Sequence, residues 1–159
     1  MAEAVFYQLS RRSLEQALPD LLGKTLQKRW RAVVRCGSEA RVGSLNRQLW
    51  TFGEASFLPH GTAADGHAER QPIYLTAGAE RPNDADALFL VDGAQAEEGE
   101  LRAYARCLWI FDGADPAALQ IARAAWKAAV AAEVDAVYWA ETPSGGWERK
   151  SEKRAAGAS

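Results

Sequence analysis

The run CLWIFDG at residues 107–113 constrains this chain more than any other stretch. Five consecutive apolar residues, Cys107 to Phe111, describe a strand buried on both faces, and such a strand needs covering layers on both sides. DPAALQIARAAWKAAVAA follows at once over residues 115–132. Asp115 suits a helix N-cap, Pro116 the first helical position, and the alanine-rich body has high helix propensity. A doubly buried strand feeding directly into a helix is half of a crossover unit, so the pair predicts an α/β protein with a largely parallel sheet.

The rest of the chain repeats that tempo. Residues 4–9, AVFYQL, read as a first strand, and residues 13–29 show helical apolar spacing at Leu14, Leu18, Leu21, Leu22 and Leu26. Pro19 interrupts the spacing, which predicts a turn before it and a firm helix after it, with the proline in the first turn. A second strand at 31–36 and a helix from Ser38 to Leu49 come next. Further strands are expected at 73–76, 87–91 and 134–140, the last as an edge or final strand, with an acidic helix around 97–104. The Gly/Ser/Lys-rich tail is expected to fray after Trp147. At 159 residues the size is that of one domain, taken as residues 1–150 with 151–159 as a flexible tail.

Residues 49–72, LWTFGEASFLPHGTAADGHAERQP, fit none of these elements. The segment is long for a loop in a small domain, and its aromatic first half argues against disorder. His60 and His67 lie on it with Asp65 between them, but the spacing matches no metal-ligand motif, and both read as solvent-facing loop histidines. Cys36 and Cys107 have no CxxC or histidine partner spacing and are expected in strand or core positions. No cofactor is expected.

Catalytic signatures fail in turn. Neither GxxxxGK[ST] nor GxGxxG follows a strand, and the turn after the first strand, SRRS, has no glycine to approach a phosphate. No GxSxG elbow is present. The acidic pairs Glu97 with Glu98 and Asp84 with Asp86 read as solvated surface. A net charge of −2 argues against coating a polyanion, although residues 1–54 carry nine Lys/Arg against five Asp/Glu and residues 55–115 carry four against eleven. The first residues lack the basic start and long apolar run of a signal peptide, so a cytoplasmic location is expected. Function is therefore sought in surfaces that bind other proteins. Two stand out: the aromatic loop at 50–60, and Arg123, Trp126 and Lys127, which cluster on one side of their helix. The alternatives are a small nucleotide- or metal-dependent α/β enzyme using the 60–67 loop, and direct DNA binding by the basic first third.

RRSLEQALPDLLGKTLQKRW, RAVVRC, LNRQLW followed by SFLPHGTAADG, then ARAAWKAA, VYWAE and GGWERK resemble, in the same order, the chi subunit of bacterial DNA polymerase III over about residues 3–150. That resemblance implies a non-catalytic accessory subunit of the clamp-loader assembly, with a nucleotide-binding-like α/β topology that lacks a phosphate loop. It also implies binding of the acidic C-terminal tail of single-stranded-DNA-binding protein at Arg123, Trp126 and Lys127, tryptophan standing where some relatives have tyrosine. Trp50, Phe57 and Pro59 are the implied contacts for the psi subunit or a helicase-like partner that competes with it. Leu119, Ala122 and Ala129 remain ordinary packing positions in this reading.

Overall fold

The structure, a computed structural model, describes residues 2–51 and 60–154. One sheet organises them: β1 (Glu3–Leu9), β2 (Ala32–Arg35), β3 (Gly61–Thr62), β4 (Ile73–Thr76), β5 (Ala87–Leu90), β6 (Arg106–Asp112), β7 (Asp135–Glu141) and β8 (Trp147–Lys153) lie in the order β3-β4-β2-β5-β6-β1-β7-β8. All neighbours are parallel except β7 and β8. Helices α1 (Leu14–Gln27) and α2 (Glu39–Thr51) cover one face, and α3 (Glu98–Ala103) and α4 (Pro116–Ala131) cover the other. This is the single-domain α/β architecture that the alternating elements predict.

The period of two along each strand divides the core. Val5, Leu9, Leu108 and Ile110 point to α1 and α2, whereas Ala4, Phe6, Cys107 and Trp109 point to α3 and α4. β6 is therefore buried on both faces, as its apolar run requires. Both cysteines are buried, and burial pushes each thiol up to about 12, so neither is a thiolate at neutral pH.

α1 departs from expectation. It begins at Leu14, with Pro19 buried in its interior rather than in the first turn. Ser13 lies just before it, its backbone N–H donating to Gln16 Oε1 at 2.9 Å, which starts the helix early. Pro19 has no N–H for the Glu15 carbonyl, and Gln48 Nε2 of α2 donates to that oxygen at 3.1 Å instead. A neighbouring helix thus replaces the bond that proline removes.

Two further differences lie at the edges of the sheet. β7 is neither an edge nor the final strand, because residues 147–153 return as β8 through a turn in which Gly145 adopts φ +91° and its N–H meets the Thr142 carbonyl at 2.9 Å. β8 is almost wholly exposed and largely charged, so it carries no apolar alternation for sequence reading to detect. On the opposite side, His60 is buried at 4% exposure with Nε2 3.3 Å from the Asn46 carbonyl, whereas His67 is exposed. Only one of the two histidines faces solvent as expected.

Candidate protein-binding site

Strand register builds the floor of the site. Phe6 of β1 pairs with Trp109 of β6 on one side and Tyr138 of β7 on the other, which sets three aromatic rings in a row on the α4 face. Phe6 stacks on Trp109 at 4.6 Å between centroids and lies 6.0 Å from Tyr138, and Phe111 meets Tyr138 edge-on at 6.0 Å. α4 lowers Trp126 onto this row, 5.6 Å from Phe6 and 6.2 Å from Tyr138. Aromatic pairs at these separations stabilise beyond the area they bury.

The start of α4 is set by Asp115, whose carboxylate accepts the Ala117 N–H at 3.0 Å ahead of Pro116. Its phase then buries Ala122 and Ala129 on the sheet and leaves Arg123 and Lys127 exposed beside the half-buried Trp126. Among the described residues neither cation makes an ion pair. Burial raises the Tyr138 phenol and the Arg123 charge opposes it, so that cation lies near enough to act on the aromatic floor. Leu119 and Val130 are only partly buried and flank the same face at helical spacing. Phe6, Phe111 and Tyr138 are the contributors that sequence reading missed. The signal is their shared strand parity, which becomes legible only once register is known.

The carboxyl ends of the strands tell a second story. β1 leads into α1 on one face and the adjacent β6 into α4 on the other, a switch point where open α/β sheets bind ligands. A crevice of about 600 Å³ lies there, lined among others by Ser10, Arg11, Arg12, Arg41, Asp112 and Asp115. Its anion cradle is already filled. Glu141 Oε1, from the end of β7, accepts the backbone N–H groups of Ser10, Arg11 and Arg12 at 3.0, 2.7 and 3.0 Å, and Oε2 accepts Arg12 Nε at 2.7 Å. Three successive amides converging on one oxygen form the kind of nest that holds phosphate in nucleotide enzymes. Here a carboxylate of the chain itself occupies it.

Of the second predicted surface, Trp50 lies in the last turn of α2, while Phe57 and Pro59 fall outside the described residues. The structure brings Arg123, Trp126 and Lys127 together on one side of α4.

The class of protein these features define is a single-domain α/β protein whose anion nest holds a carboxylate of the chain itself and whose α4 face sets an aromatic floor beside two exposed cations. The chain belongs to the family of the DNA polymerase III chi subunit, HolC, whose model matches residues 1–136. A curated relative from Rickettsia prowazekii (strain Madrid E), described as "Probable DNA polymerase III subunit chi", is 29% identical over 91 residues, 57% of this chain and 55% of the relative. The match thus spans about half the length of that relative. The family match takes in α4, whereas Tyr138, Glu141 and β8 lie beyond it.

Proposed function

We propose that this chain is a non-catalytic accessory subunit of the DNA polymerase III holoenzyme that links the clamp-loader assembly to single-stranded-DNA-binding protein by holding that protein's acidic C-terminal tail. The observation that supports the reading is the juxtaposition of Trp126, half-buried on Phe6 and Tyr138, with the exposed Arg123 and Lys127. An acidic peptide ending in an apolar residue needs a cation for its terminal carboxylate, an apolar wall for its last side chain and further positive charge for the aspartates upstream. Arg123 supplies a charge-assisted, planar donor set, Trp126 the wall, and Lys127 a point charge. A small interface of this kind binds in the micromolar range. Family membership supports the same reading, since chi is a polymerase III subunit by name.

A second surface carries the connection inward. Trp50, Phe57 and Pro59 are the anchors for a psi subunit or a helicase-like competitor, because clustered aromatics dominate interface energetics.

Calorimetric titration of a synthetic acidic tail peptide into the intact protein tests the reading. Binding at low salt should weaken roughly 10- to 150-fold on Arg123→Ala, the equivalent of one charge-assisted hydrogen bond, and less on Lys127→Ala. Amidating the peptide's C-terminus should weaken it similarly. Absence of binding at low salt, or affinity indifferent to both substitutions, overturns the assignment.

A further inference from the structure

The opposite rim of the sheet, where the parallel strands begin, carries a second grouping of cations and an aromatic ring. α1 ends in a tight backbone motif: the N–H groups of Lys28 and Trp30 both reach the Thr25 carbonyl at 3.2 Å, and that of Arg29 reaches Leu26 at 2.9 Å. Arg29 sits at the left-handed position of this motif with φ +62°, where glycine is the usual occupant because a Cβ is crowded there. The motif fixes Lys28, Arg29 and Trp30 relative to one another. Lys28 Nζ lies 5.2 Å from the Trp30 ring centroid, and the Arg106 guanidinium, from the start of β6, lies at 5.2 Å as well.

Lys24 stands one helical turn before Lys28 on α1, an axial rise of about 6 Å. Lys24, Lys28 and Arg29 are all exposed, and among the described residues none of the three makes an ion pair. Two acidic groups on this rim are engaged: Glu3 Oε1 accepts Arg106 Nε at 2.9 Å, and Asp86 Oδ2 accepts the Arg31 N–H at 3.1 Å. Arg31 turns its guanidinium along the rim, donating to the Glu69 and Asn83 carbonyls at 3.0 and 3.2 Å.

We infer that this rim, built from Lys24, Lys28, Arg29, Trp30 and Arg106, contacts the backbone of single-stranded DNA, with Trp30 as a stacking face. Cations spaced along a helix end answer successive phosphates, and the half-buried Trp30, with Lys28 and Arg106 over its ring, offers a base its π-face once Lys28 swings aside to a phosphate. Acidic peptide would meet the same charges, but the apolar side chain of such a peptide needs a pocket. Among the described residues, two cavities of about 600 and 540 Å³ lie at the carboxyl ends of the strands and along α4, away from this rim. Three unpaired cations make a weak, salt-sensitive contact, which is compatible with a net charge of −2. The inference does not depend on the tail-binding reading, whose residues lie on a different helix.

Fluorescence anisotropy of an end-labelled 20-nucleotide oligothymidylate, with the intact protein and no partner, is the test. Three phosphate contacts to a single strand predict a roughly 20-fold loss of affinity between 50 and 200 mM salt. The double variant Lys28→Ala, Arg29→Gly should bind more weakly and show a shallower salt dependence, by about 0.7 in log–log slope for each cation removed. Arg29→Gly places glycine at its favoured position, so folding is retained and a thermal melt verifies it. Four outcomes overturn the inference: no anisotropy change at low salt; unaltered affinity and slope in the double variant; loss of DNA binding only on Arg123→Ala, Lys127→Ala; or a labelled acidic peptide that binds at Lys28 and Arg29 while the oligonucleotide does not.

Discussion

Glu141 and Arg12 meet across the carboxyl ends of the sheet, with Arg12 Nε 2.7 Å from Glu141 Oε2 and the Arg12 backbone N–H 3.0 Å from Oε1. The Glu141 side chain is fully buried while Arg12 remains partly exposed, so the ion pair closes the anion nest from the solvent side. Arg12 also reaches Asp20 at 3.1 Å and lies 5.3 Å over the Trp147 ring. One arginine therefore joins the start of α1 to both strands of the terminal hairpin.

Burial alone pushes the Glu141 carboxyl up, but the three backbone donors and the Arg12 guanidinium outweigh it and hold the group at about 2, against an ordinary 4.5. A carboxyl held below its unfolded value contributes stability that is complete above pH 4.5 and is lost as pH falls toward 2. The contribution is on the order of 3 kcal/mol. Urea unfolding of wild type and Glu141→Gln should therefore differ by about that amount at pH 6 and converge as the pH approaches 2. A constant difference across this range would contradict the assignment.

An emptied nest should accept an external anion. Glu141→Ala leaves three converging amides and the Arg12 guanidinium without their carboxylate, a donor set suited to phosphate or sulfate. Inorganic phosphate at tens of millimolar should raise the melting temperature of Glu141→Ala more than that of wild type, by the usual linkage of ligand to the folded state. Equal shifts in both proteins would show that the nest is not available to anions.

Pro19 and Gln48 are expected to be energetically coupled. The Glu15 carbonyl receives Gln48 Nε2 because Pro19 cannot donate to it. Gln48→Ala should cost about 1–2 kcal/mol in the wild-type background, since a partly buried acceptor loses its partner. With Pro19→Ala the helix supplies its own N–H to that carbonyl, and the cost of Gln48→Ala should shrink. A double-mutant cycle by urea denaturation measures the coupling, and strict additivity would remove the proposed compensation.

What could be read from the sequence tracks how local the cause is. β1, β6 and α4 announce themselves through their own apolar periods and the Asp115–Pro116 start, and the structure places them within a residue or two of the predicted bounds. The interior Pro19 is tolerated through a side chain from another helix, and β8 exists by pairing with β7 rather than by any pattern of its own. Glu141 at the end of VYWAE resembles any strand-terminal acid, because its partners lie 129–131 residues earlier. The cations of the α4 site were legible as a cluster at helical spacing. Their aromatic floor was not, because it depends on the register that aligns Phe6 with Trp109 and Tyr138.

Trp126 separates packing from recognition. Its ring is shared between the floor, through Phe6 and Tyr138, and the exposed edge beside Arg123 and Lys127. Trp126→Ala removes both contributions, destabilising by about 2–3 kcal/mol for a half-buried aromatic and abolishing the wall of the proposed tail site. Trp126→Phe keeps an aromatic face on the floor, so stability should fall by about 1 kcal/mol and tail-peptide affinity by only a few-fold. Arg123→Ala, on an exposed position without an ion pair among the described residues, should leave the urea midpoint near wild type while weakening the peptide at least 10-fold. Calorimetry and urea denaturation on the three variants check these together. If affinity instead followed stability across all three, the face would be packing alone and the docking assignment would fail.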